Sequence, residues 1–305
     1  MHPAFSIIVF TALSGLGYGL AAMLGLGLLD PSAISTKIAH VLALALVAGG
    51  LTSSLLHLGN PKRAWRALSQ WRTSWLSREG VMAILTFVPL LASAWAAIFD
   101  DRYLVVFGLF GAVLCGVTVY CTAMIYASLR SVGAWNTKLT PICYLLFSGA
   151  GGAVLASFFA LAGGGWPLPP LILALIFLGS AWFAKVKWRE HMSNLVPLST
   201  PESATGLGNI GKVRLLERPH INENYLTNEM GFKIARKHAV KLWRIAIALG
   251  GVVPAIILAA LLIFGAQGWV SGLFAALAVL CHLAGMMVER WLFFAEARHA
   301  VMNYY

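Results

Sequence analysis

The segment from His57 to Glu79, HLGNPKRAWRALSQWRTSWLSRE, carries five cations and three tryptophans between two long apolar runs. Tryptophan interleaved with Lys and Arg is the composition of the boundary where hydrocarbon meets water. The segment therefore reads as a membrane-surface connection, and the runs on either side of it as spanning helices.

The rest of the chain agrees. Of its 305 residues 59% are hydrophobic and only 11% are charged, with a mean hydropathy of +0.80. A soluble domain carries roughly 25% charged residues. Apolar runs of about 20 residues are long enough to cross a bilayer as helices. Eight are present, at 6–29, 36–57, 79–99, 103–127, 138–163, 167–187, 240–264 and 268–295. The expected fold is all-α: one polytopic membrane domain over residues 1–305, a bundle of eight transmembrane helices. No Lys or Arg precedes Lys37 and the first run is long enough to span, so no cleaved signal peptide is expected. Gly15 and Gly19 in the first run have the spacing that lets another helix approach closely.

Eight spans put both termini on one side, with the loops after spans two, four and six. That side holds 20 of the 22 Lys and Arg residues, against Lys37 and Arg102 on the other. By the positive-inside rule the basic side, with both termini, is cytoplasmic. The net charge of +11 is thus a topology signal, and no nucleic-acid motif accompanies it.

Three stretches on the basic side stand out. In the interfacial segment at about 58–78, Trp65, Leu68, Arg72 and Trp75 recur at three- and four-residue intervals, which predicts a short surface helix with the rings on one face. Lys62, Arg63 and Arg66 then reach lipid headgroups or an acidic partner. The turn SLRSVGAWNTKLTP, residues 128–141, contains Trp135 and Asn136. A loop at about 186–239 begins irregular and ends in a patterned helix, with an Asn or Thr cap ahead of Glu229 and with Arg236 inside it; it reads as a docking surface.

The four cysteines, Cys115, Cys121, Cys143 and Cys281, lie inside apolar runs without CxxC or cluster spacing, so this chain is not expected to hold an iron-sulfur cluster or a metal. His57 and Glu79 sit at similar depth on consecutive helices. Facing one pocket, they suit hydrogen bonding and proton transfer to a quinone carbonyl. Residue chemistry alone favours the plainer reading, a headgroup-exposed His57 with Glu79 paired to Arg78 or Arg72. His40 and His282 raise the question of a b-type haem held by two histidines, but their depths differ, and packing histidines are preferred. A small-solute transporter is the competing class; the deep bundle, nearly free of acids and bases, argues against an ion-coupled one.

HLGNPKRAW, followed by WLSRE, a span and the WNTKLTP turn, resembles the membrane anchor subunit of the dimethyl sulfoxide reductase family of molybdopterin oxidoreductases. The resemblance covers most of the chain. It implies a quinone (ubiquinone or menaquinone) bound at His57 and Glu79, and two partners: an iron-sulfur subunit with four clusters and a molybdopterin catalytic subunit. Arg63, Trp65 and Arg78 are then expected around the quinone. Lys62, Arg66, Arg72, Trp135, Asn136 and Arg236 are expected to dock partners. With quinone motif and long loop on the basic side, the complex is expected to face the cytoplasm of a bacterium, as the membrane-bound sulfite dehydrogenase does, passing electrons from sulfite to quinone. A quinol-oxidising anchor of a dimethyl sulfoxide-type reductase is the alternative direction.

Overall fold

In the computed structural model the described residues are 4–56, 60–163, 165–197, 199–214, 216–217, 234–265 and 268–304, with the side chains of 61 and 234–237 excepted. They are helical or irregular, with no strand among them. Eight helices are long and apolar enough to cross a membrane. The first six are continuous: α1 (Phe5–Gly25), α2 (Ile34–Leu55), α3 (Trp75–Phe99), α4 (Val105–Ala127), α5 (Leu139–Leu161) and α6 (Leu168–Ser193). A short helix α7 (Pro201–Thr205) follows. The seventh span is α8 (Ile234–Ile247), a single π-helical turn (Ala248–Val252) and α9 (Val253–Phe264); the eighth is α10 (Trp269–Ala295).

Two boundaries differ from the sequence reading. Span three starts at Trp75, so Glu79 lies inside the helix rather than opening it. Span six runs on through Lys185, Lys187 and Arg189 to Ser193, with Trp182, Ala184, Lys185 and Trp188 on its buried side and Lys187 and Glu190 exposed. The loop expected from 186 therefore begins after 193. The cap ahead of Glu229 lies outside the described residues.

Burial sorts the spans. In the most apolar stretches of α1 and α5, 72% and 67% of residues are buried, against 22% in α2, so α1 and α5 form the centre and α2 faces lipid. Close approach in the centre depends on glycine: Gly19 of α1 lies directly against Gly152 and the Ser148 backbone of α5, where a Cβ on either glycine would meet main chain. Gly15 takes a different role: its position has open space, and its carbonyl accepts a hydrogen bond from Ser148 Oγ at 2.7 Å.

At the end away from the 58–78 segment, Lys37 pairs with Asp101 at 2.7 Å, joining the start of α2 to the turn after α3. Asp30 organises the turn before α2. Its Oδ1 accepts from Ser32 Oγ at 2.7 Å and Ser32 N–H at 3.0 Å, which holds the carboxyl below its ordinary range.

Candidate functional site

Glu79 is the fifth residue of α3 and is only 5% exposed. Its Oε1 accepts a hydrogen bond from Thr122 Oγ1 of α4 at 2.5 Å. Two turns further into the membrane, Thr86 and Thr118 hydroxyls meet at 2.9 Å, so a polar seam runs between the two helices. Among the described residues Oε2 of Glu79 carries no hydrogen bond, and no cation lies within ion-pairing distance of the carboxyl. Pairing with Arg78 or Arg72 is not what forms.

Arg78 turns the other way. Its Nε donates to the Trp71 carbonyl at 3.1 Å and its Nη2 to the Arg72 carbonyl at 2.7 Å, and its guanidinium lies 4.2 Å over the Trp75 ring. It ties the surface segment to α3 instead of joining Glu79. That segment is a 3₁₀ helix, Pro61–Gln70, which ends before Arg72 and Trp75, two of the residues expected to recur along one surface helix. The chain turns at 71–74, and Trp75 belongs to α3. Ser77 Oγ bonding the Ala67 carbonyl and Leu68 lying over Gly80 hold the segment on the first turns of α3.

Lys62, Arg63, Arg66 and Arg72 are exposed there, as is Trp65 at 67%, with Arg66 5.6 Å from its ring. They form a cationic and aromatic platform. Within this chain neither Trp65 nor Arg63 is buried beside Glu79. His57 lies outside the described residues, and so does the side chain of Arg236.

Trp135, expected to dock a partner, is packed into the bundle. It is 3% exposed, donates from Nε1 to the Phe293 carbonyl at 2.9 Å and stacks on the Phe293 ring at 5.4 Å, so it joins the 128–138 turn to α10. Asn136 is exposed, although its Nδ2 is held by the Ala127 carbonyl at 2.6 Å.

Behind Thr122 lies a small, mostly apolar cavity of about 20 Å³ whose polar lining comes from Thr11, Ser14, Thr122, Tyr144, Ser148 and Arg290. A space of that size admits one water. Arg290 is 3% exposed, with its guanidinium 3.9 Å over the Tyr144 ring and its Nε without a partner. Its Nη1 stands 3.5 Å from Glu289, whose other oxygen is 2.6 Å from Lys185 Nζ. Lys185 also lies 3.6 Å from the centre of the Trp188 ring.

This trio of buried charges, one acid between two bases inside an aromatic cage, is what reasoning from the sequence misses. Read from sequence, Lys185 and Arg290 belong to the flanks of loops, and the deep bundle is nearly free of such groups. Setting both aside leaves the charge bias between the two faces standing. A signal is present in sequence: Trp188 follows Lys185 at i+3, and Phe293 follows Arg290 at i+3, the spacing that lays a ring over a cation on one helix face.

His40 and His282 line separate cavities, His40 with Ser93 and Gly108, and His282 with Leu16 and Val154. They do not face one another as a pair of haem ligands.

An eight-span bundle with a carboxyl set into one end of a polar seam, beneath a platform of cations and tryptophans, defines a class: a polytopic membrane protein with one strongly basic end. The profile of the DMSO reductase anchor subunit (DmsC) matches residues 1–295. The chain is also 30% identical to a subunit of the sulfite dehydrogenase of Allochromatium vinosum, in an alignment of 333 positions that covers all of this chain and 99% of that one. This chain belongs to the DMSO reductase anchor subunit family. It is a multi-pass membrane subunit of a DMSO reductase-type complex, and the transporter reading gives way to that assignment.

Proposed function

We propose that this chain is the quinone-binding anchor of a three-subunit molybdopterin oxidoreductase, and that it delivers electrons to quinone during oxidation of sulfite to sulfate. The observation that carries the reading is Glu79: a carboxyl almost closed off from solvent, held through one oxygen by Thr122, with the other oxygen uncommitted among the described residues. Such a group fits a quinone oxygen, since a carboxyl accepts from a hydroxyl or donates to a carbonyl as its own proton comes and goes.

Quinone supplies an acceptor for two electrons and two protons. Glu79 contacts one of its oxygens and hands over a proton. Thr122 fixes the carboxyl and, through the cavity behind it, connects it to Tyr144 and Arg290. His57, on the sequence reading, serves the same site from the end of α2. The 20 Å³ cavity is too small for a ring, so the headgroup does not belong behind Thr122.

An iron-sulfur subunit with four clusters and a molybdopterin catalytic subunit are the partners in this reading. The exposed Lys62, Arg63, Arg66 and Arg72 give them a cationic platform, with Asn136 and Arg236 as further contacts, in the cytoplasmic membrane of a bacterium with the partners on the inner face. The sulfite assignment leans on the similarity to the Allochromatium sulfite dehydrogenase subunit. The test is purification of the tagged chain from its native membrane, followed by assay with sulfite, quinone and a soluble dye. Co-purification of two large subunits that hold iron and molybdenum, with sulfite-dependent quinone reduction, is expected. A His57→Ala complex is expected to keep dye reduction and lose quinone reduction. A wild-type complex that ignores sulfite overturns the substrate, and a chain that purifies alone overturns the assembly.

A further inference from the structure

α5 and α6 are consecutive spans that pack side by side, and their outer faces meet lipid together. On α6, Gly179, Phe183 and Lys187 recur every four residues; on α5, Leu139, Ile142 and Leu146 recur at three and four. Each set therefore lies along one side of its helix. These six residues line an open, predominantly apolar furrow of about 490 Å³. Gly179 leaves it room, since a Cβ there would meet nothing within 4 Å. Phe183 is 67% exposed and Ile142 44%, so among the described residues nothing covers them.

Gly179 and Lys187 are eight positions apart. That is about 12 Å along an α-helix, at a rise of roughly 1.5 Å per residue. One leaflet contributes about 15 Å of hydrocarbon, half of a core roughly 30 Å thick. The furrow thus runs from the basic boundary of the membrane to near its middle, the reach of one acyl chain in that leaflet.

Charge gathers at the boundary end. Lys187 is the one charged residue among those lining the furrow, and its Nζ stands 6.0 Å from the centre of the Phe183 ring. Lys138, exposed, directly precedes Leu139, and no acidic residue stands in the first turn of α5. Glu190 pairs with Lys187 at 2.9 Å, but the two side chains are 48% and 54% exposed, and such surface pairs contribute little. Lys187 therefore turns to another anion at small cost. Hydrocarbon below and two lysines above are the complement of a lipid with a negative headgroup.

We propose that the α5–α6 furrow is a binding site for an anionic phospholipid of the leaflet on the basic side. One acyl chain lies along Ile142 and Phe183 toward Gly179, and the phosphate sits between Lys138 and Lys187. A zwitterionic lipid supplies the same chain without the net charge, so the lysines set the preference. The proposal goes beyond the quinone reading and does not rest on it, since Glu79 belongs to α3.

The test is photocrosslinking of the full chain in nanodiscs of phosphatidylcholine. Each preparation carries a trace of either phosphatidylglycerol or phosphatidylcholine with the same photoreactive acyl chain, and adducts are mapped by mass spectrometry. Adducts on residues 139–146 and 179–187 are expected, about fivefold more abundant from phosphatidylglycerol, the worth of one lysine beside an anionic headgroup. Lys138→Gln combined with Lys187→Gln is expected to remove that preference. Glu190→Gln, which deletes the competing acid, is expected to raise it. Gly179→Leu fills the furrow from a lipid-facing position and is expected to abolish both sets of adducts there. Equal yields from the two probes in wild type overturn the proposal, as does a preference that survives loss of both lysines. Undiminished adducts in Gly179→Leu place the lipid elsewhere and also overturn it. Crosslinks joining two copies of the chain through α5 and α6 assign the furrow to a second copy, with the same consequence.

Discussion

Glu79 of α3 and Thr122 of α4 are joined by a hydrogen bond of 2.5 Å inside the bundle, one turn from the basic end of the membrane. The hydroxyl of Thr122 also lies 3.1 Å from the Thr118 carbonyl, so one proton serves two acceptors. Thr122→Val keeps the shape and removes the donor. The expected outcome is a loss of about 1 to 3 kcal/mol in stability, the cost of leaving a buried polar group without its partner. Thermal unfolding of the purified complex reads it. A Thr122→Val complex as stable as wild type contradicts the bond.

Lys185 and Glu289, 2.6 Å apart and both almost fully buried, stand or fall together. Removing one partner of a buried ion pair costs roughly 3 to 5 kcal/mol, because the other charge stays behind uncompensated. Lys185→Met is expected to cost that much. Combined with Glu289→Gln it is expected to cost clearly less than the two separate losses added together. Strict additivity of the two changes contradicts a direct pair.

Glycines at the α1–α5 contact are expected to differ sharply. Gly152→Ala sets a methyl against the main chain of Gly19 and is expected to destabilise by about 1 to 3 kcal/mol. Gly15→Ala meets open space and is expected to fall within about 0.5 kcal/mol of wild type. Denaturation of the two variants side by side decides; equal losses contradict the packing described for α1 and α5.

Orientation is tested with single cysteines on a background lacking the native four. A membrane-impermeant maleimide added to intact cells is expected to label Arg102→Cys and to spare Arg66→Cys. The reverse pattern places the cationic platform on the outer face and contradicts docking in the cytoplasm.

Most of the fold is legible in sequence because hydrocarbon thickness fixes the length of a span, and eight runs of that length stand apart from their connections. The family is legible in HLGNPKRA and WLSRE. Glu79 is legible as a candidate, an ionisable group next to a long apolar run, but its burial away from Arg78 and Arg72 is not. What the sequence hides depends on tertiary partners. Trp135 looks like a surface aromatic in a basic turn until Phe293 appears beneath it. Lys185 and Arg290 look like flanking charges until Glu289 is placed between them. His282 looks like a packing residue, and half of it is: Nδ1 is satisfied by the Gly250 carbonyl, while Nε2 is buried without a partner among the described residues.

The central claim is that Glu79 exchanges a proton with quinone, and one comparison tests it most directly. Membranes containing the intact complex, wild type beside Glu79→Gln, are given sulfite with either quinone or a soluble dye as acceptor. Glutamine keeps the size of the side chain and an acceptor for Thr122, but cannot carry the proton. Dye reduction is expected to be unchanged and quinone reduction to fall by about 100-fold, the lower range for loss of a general acid. Quinone reduction at the wild-type rate in Glu79→Gln contradicts the claim.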